Sequence, residues 1–157
     1  MHIKIYNRGT RNQLICDRHD GSVEIADIGP LLPHHDIAHY IVERQLQLKQ
    51  GFYGNIYRGL TVAQLSDKEV IRTLPQEAMV SEVVTRALQS LGGGACRLDQ
   101  FQDLIGLELG QMGWVLERPL EKAEIEQMMA EYLGLLEEWD RLREGEALVL
   151  ELSVEAW

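Results

Sequence analysis

The chain opens with short alternations of apolar and polar positions. Ile3 and Ile5 alternate with Lys4 and Tyr6, and Leu14 and Cys16 alternate with Ile15 and Asp17. A period of two sends successive side chains to opposite faces of a β-strand. Asn7-Arg8-Gly9-Thr10 and His19-Asp20-Gly21 supply the turns, and Gly21 is free to take positive φ. A third strand is expected over 22–28, where Gly29-Pro30 stops it. The same alternation returns at the end of the chain. Leu148, Leu150, Leu152 and Val154 fall on one side of a strand over 147–154, which joins the N-terminal sheet.

The middle of the chain changes to helical spacing. A first helix is predicted over 34–50, with Ile37, Ala38, Ile41, Val42 and Leu46 on one face. Gly51 is expected to close it in a left-handed conformation, with Phe52 folding back on Leu46. Gly51-Phe52-Tyr53-Gly54-Asn55 then reads as a loop with its aromatics tucked into the core, and Thr61 caps a short helix over 61–67. Longer helices are predicted over 75–91, 98–112 and 120–143. Gly92-Gly93-Gly94 ends the first of these, and Gly106 and Gly110 in the second mark close packing. The third carries the stripe Ile125, Met128, Met129, Tyr132, Leu135, Leu136, Trp139 and Leu142, and Gly145 ends it. The expectation is one α+β domain over 1–157. Its small antiparallel sheet, three N-terminal strands plus the C-terminal one, packs on about four helices.

Composition narrows the classes of function. The 157 residues are 45% hydrophobic, enough for a packed core. No apolar run approaches the ~20 residues that cross a bilayer, and Met1 to Tyr6 has no signal-peptide core, so no membrane role is expected. Cys16 and Cys96 are the only cysteines, which points to a reduced, cytoplasmic setting without a disulfide. A net charge of −10 without a basic cluster argues against nucleic acid. The acidic residues crowd between Glu117 and Glu155, as on a solvated helix face. The apolar stripe of the last helix, where exposed, would serve a homodimer.

The chemistry concentrates at the start of the first helix, in His34-His35-Asp36-Ile37-Ala38-His39. His35 and His39 are four residues apart, so their imidazoles stack on one helix face and could grip one divalent ion, zinc or another. Pro33, His34, Asp36 and Glu43 lie within a few turns of them. Burying so many polar groups unpaired would cost roughly 1–3 kcal/mol each, so such a cluster faces a metal, a pocket or water. The structural alternative is that His, Asp and Glu cap and solvate a first helical turn, where Asp36 suits the positive end of the helix dipole.

The run His35-Asp36-Ile37-Ala38-His39 resembles the His-Glu-x-x-His motif of the zincin metalloproteases, over this one helix only. The resemblance implies zinc ligation by His35 and His39, with Asp36 as general base. Asp36 departs from the motif, being one methylene shorter than glutamate, which withdraws its carboxylate by about 1.5 Å. It could then orient a histidine instead. A zincin with a glutamate ligand takes it from a second helix, which matches Gln76 to Glu82 here. Glu77, at the edge of that helix's apolar stripe, ranks first as third ligand. Glu43, one turn after His39, and Glu82, on the polar side, rank behind it, and His19 could approach from its turn. Glu43 shares the role of proton acceptor with Asp36.

His35-Asp36 also resembles, more weakly, the His-Asp pair of the HD phosphohydrolases, which implies an upstream histidine (His2 or His19) and a downstream aspartate (Asp99 or Asp103). The whole chain is similar to small uncharacterised bacterial proteins, a resemblance that carries no activity. Gly92-Gly93-Gly94 lacks the Lys-Ser/Thr of a phosphate loop. The serines sit in no nucleophile elbow, and no Cys-x-x-Cys occurs. The sequence therefore supports a divalent-metal-binding protein, with metal-dependent hydrolysis as its chemistry if it is an enzyme. The alternative is a non-catalytic interaction or structural domain. The substrate is not legible.

Overall fold

The computed structural model describes residues 1–154, so Glu155 of the acidic stretch lies outside the described residues. Four strands, β1 (His2–Tyr6), β2 (Gln13–Asp17), β3 (Val23–Asp27) and β4 (Ala147–Glu151), form one antiparallel sheet in the order β3-β2-β1-β4. Register follows the alternation. Ile3 faces Cys16 on one side and Leu150 on the other, and Ile5 faces Leu14 and Leu148. These six side chains form the buried face of the sheet. Lys4 on the opposite face lies between Ile15 and Val149. The Met1 ammonium donates to the Leu152 carbonyl, and the Leu152 amide donates to the Met1 carbonyl, so the pairing of β1 with the edge strand β4 continues past both strand ends.

The helices between these strands are α1 (Leu32–Leu46), α2 (Phe52–Tyr57), α3 (Val62–Leu65), α4 (Lys68–Ile71), α5 (Gln76–Gly92), α6 (Phe101–Gln111) and α7 (Lys122–Arg141). The fold is α+β, as expected. Pro33 occupies the first turn of α1, where its missing N–H costs little. Helix α1 packs on both α5 and α7, with Ile37 and Ile41 in the core. The α7 stripe is turned inward, burying Ile125, Met128, Tyr132 and Trp139, which leaves Leu133 as the exposed large hydrophobic residue on that helix. Met129, Leu135, Leu136 and Leu142 of the stripe are partly buried against the same core.

Two glycine expectations are corrected. Helix α1 ends at Gln47, itself at φ 54°, while Gly51 has φ −72° and caps the start of α2. Gly51 is needed for space: a Cβ there would sit 2.7 Å from Glu43 Cγ and closer still to its Cδ. The Gly51–Asn55 segment is therefore mostly helix, with Tyr53 fully buried as foreseen. Gly106 and Gly110 face open space, whereas a Cβ on Gly92 would press within 2.9 Å of Tyr132. The Thr61 cap forms a reciprocal box with Gln64, and α4, absent from the sequence reading, is capped by Asp67, whose side chain accepts from the Glu69 amide.

Candidate metal centre

Helical spacing aligns His35, His39 and Glu43 along one side of α1. Helix α5 lies against that side and presents Ser81, Glu82, Thr85 and Gln89. His39, Glu43, Ser81 and Thr85 are buried, with Glu43, Ser81 and Thr85 fully inaccessible, while His35 and Glu82 are half-buried at the rim.

Three donor atoms converge. His39 Nε2 lies 3.1 Å from His35 Nε2 and 3.1 Å from Glu82 Oε2, and His35 Nε2 lies 3.5 Å from the same oxygen. Ligands about 2.0–2.1 Å from a tetrahedral zinc stand about 3.3–3.4 Å apart along each edge. The observed triangle has that size. The other ring nitrogens are already engaged. His35 Nδ1 is 2.8 Å from Gln89 Oε1, and His39 Nδ1 is 3.3 Å from Glu43 Oε1, 3.2 Å from Ser81 Oγ and 3.3 Å from Thr85 Oγ1. The Gln89 amide oxygen accepts from His35 Nδ1, which turns the His35 Nε2 lone pair towards His39. His39 faces a carboxylate at each nitrogen, Glu43 at Nδ1 and Glu82 at Nε2, so a doubly protonated ring satisfies both, and a cation at Nε2 would take the place of one proton.

Glu43 fixes this arrangement from behind. Its Oε1 accepts from Ser81 Oγ at 3.0 Å and its Oε2 from the Gly54 amide at 3.1 Å, tying α1 to α5 and α2. Phe52 stacks on the His39 ring at 5.1 Å between centroids. A carboxylate on the far nitrogen of a ligating histidine is the usual outer support of a metal site. Burial works against a charged His39, but hydrogen bonds to Glu43 and Glu82 outweigh it and raise the imidazole to about 9 without metal. Burial would likewise raise Glu82, and its hydrogen bonds with His35 and His39 reverse this, holding it well below the usual carboxylate range. Asp36 has no such support: burial pushes it up to about 7 against the pull of His39 and His35, and its Oδ2 has no hydrogen-bond partner.

The structure sorts the candidates. His35, His39 and Glu82 come together. Glu77, ranked first, instead accepts from the Gln50 amide at 2.7 Å, bracing the turn between α1 and α2. Glu43 reaches the cluster only through the Nδ1 side of His39, so it supports and cannot receive a proton from the Nε2 side. His19 stacks on Tyr57 at 4.8 Å and is outside the cluster, and His34 lies 4.0 Å from Asp140. Of the residues suggested by the phosphohydrolase pair, His2 is exposed on the sheet and Asp99 pairs with Arg97 on the surface. Sequence reasoning missed Ser81 and Thr85. Two small hydroxyl residues four apart within an otherwise apolar buried face were the available signal.

A cleft of 320 Å³ borders His39 and Glu82 and is otherwise lined by Phe52, Asn55, Leu65, Ile71, Leu74, Ala78 and Met79. The chain matches no protein-family model, and comparisons with curated proteins and with solved structures return no match.

Proposed function

We propose that this protein binds one divalent metal ion, zinc by the nitrogen-rich donor set, through His35 Nε2, His39 Nε2 and Glu82. The convergence of these three atoms at tetrahedral spacing supports this reading most directly. Two imidazoles and one carboxylate leave a fourth position open, the pattern of catalytic rather than structural zinc. A bound ion there supplies a Lewis acid that acidifies water, so metal-assisted hydrolysis is the chemistry the site suits. Glu43 holds His39 in its ligating tautomer, and Gln89 does the same for His35. Asp36, expected as the general base, is buried outside the converging group with its Oδ2 unpartnered, and Glu43 is committed behind His39.

The non-catalytic reading has its own support. Without metal, a protonated His39 is held between two carboxylates, at 3.3 Å from Glu43 and 3.1 Å from Glu82, which is a complete structural ion-pair network. Zinc titration of untagged protein separates the two. The metal reading predicts one equivalent bound, weakened by a factor of a hundred or more in His39→Ala and Glu82→Ala and unchanged in Glu77→Ala. Absence of saturable binding, or equal losses at Glu77 and Glu82, leaves only the structural network.

A further inference from the structure

Two clefts of this fold, at 500 and 570 Å³, are larger than the one at the imidazoles. Neither of those is lined by His35, His39 or Glu82. The smaller cleft shares His39 and Glu82 with the proposed metal site. Beyond them and Asn55, whose amide nitrogen is engaged by the Gln50 and Gly51 carbonyls, its walls are apolar: Phe52 from α2, Leu65 from α3, Ile71 from α4, Leu74, and Ala78 and Met79 from α5. No lysine or arginine lines it. Its volume sits near the lower end for small-molecule sites, which is room for a fragment-sized group. Helices α3 and α4, which form its outer wall, contain no buried residue and so cover it lightly.

An anionic phosphate or sugar-phosphate chain would find no counter-charge along these walls, and it would approach a protein of net charge −10. Burial of a neutral hydrocarbon group is the interaction they offer. We infer that the cleft is the specificity pocket of the site and takes an aliphatic or aryl acyl group, whose carbonyl oxygen would reach the open metal position beside His39 and Glu82. This rests on the metal reading above. It adds a substrate class, neutral apolar acyl compounds, and it assigns Ala78, Leu74 and Met79 as residues that set the length accepted.

The test uses the untagged full chain loaded with Co²⁺, whose visible absorption reports both metal uptake and entry of a ligand at the open position. Acetohydroxamate, butyrohydroxamate and hexanohydroxamate are titrated in turn. Each added methylene is expected to tighten binding about fourfold, or on the order of a hundredfold across the series. In Ala78→Phe the added ring fills the pocket, and the series should flatten to less than about threefold with cobalt affinity intact. Should that variant lose cobalt, Leu74→Asn makes the same test from the outer wall, with a reduced chain-length slope expected. A flat series on wild-type protein that has taken up cobalt overturns the pocket and leaves the metal site standing. Failure of wild-type protein to take up cobalt overturns the metal reading, and the pocket's role with it.

Discussion

Helix α1 is held by two long helices that meet it through different chemistry. On the α7 side the buried part of the contact is hydrocarbon, with Ile125, Met128 and Tyr132 in a common core with Ile37 and Ile41, and the polar pairs there, Arg44 and Gln45 with Glu131 and His34 with Asp140, lie outside that core. On the α5 side, one stretch of the interface is polar: Glu43, Ser81, Thr85 and His39 are all buried, and each finds a partner there. The first kind of contact is tolerant, because burial of apolar surface has no direction. The second kind is exacting, because removing one member strands the others away from water. A fold that needed only stability could have closed this interface with leucine and valine. Retaining a directional network around two imidazoles argues that their orientation is what the network secures.

The contrast can be broken most severely at Glu43. Glu43→Ala strands His39 Nδ1, the Ser81 hydroxyl and the Gly54 amide together, and should cost roughly 3–5 kcal/mol of stability, read by urea unfolding. Zinc affinity should fall with it, since His39 loses its orienting acceptor.

The next effect is a pH dependence confined to the polar side. In metal-free protein, His39 is raised from 6.5 to about 9, against the effect of burial, by Glu43 and Glu82, with His35 and Asp36 as its further titratable neighbours. The stabilisation is complete below pH 6.5 and is lost as pH climbs through 9, on the order of 3 kcal/mol in all. Thermal unfolding of chelated protein should therefore weaken over that window. Zinc-loaded protein should not, because metal replaces the proton at Nε2.

Gly51→Ala comes third. The added methyl overlaps Glu43, so repacking should cost about 1–3 kcal/mol and loosen zinc binding. The smallest change belongs to the apolar side: Ile125→Val should cost about 0.5–1.5 kcal/mol and leave zinc affinity untouched. If Ile125→Val disturbs the metal as much as Gly51→Ala does, the two sides of α1 are not distinct in function.

The same contrast explains what was legible in the sequence. The sheet followed from period-two alternation, since Ile3, Ile5, Leu14, Cys16, Leu148 and Leu150 point inward as their spacing demands. The stripe of α7 was readable for the same reason. The pair His35 and His39 stood out because helical geometry alone brings i and i+4 together. The third carboxylate was not readable. A hydrophobic period assigns Glu82 to the polar side of α5, but the buried face of that helix is itself polar at Ser81 and Thr85, and Glu82 borders them. Glu77, at the edge of the apolar stripe, looked better placed to turn inward, and only the turn at Gln50 shows what occupies it. Gly51 misled in a similar way. Its role depends on Glu43 pressing from another helix, and no local φ preference carries that information.

X-ray absorption at the zinc edge of the loaded, untagged protein tests the central claim most directly. The account predicts a first shell of two imidazole nitrogens and oxygen donors at about 2.0–2.1 Å, with one imidazole lost in His39→Ala and none lost in Glu82→Gln. A shell of oxygen alone, or an imidazole signal that survives intact in His39→Ala, would contradict it.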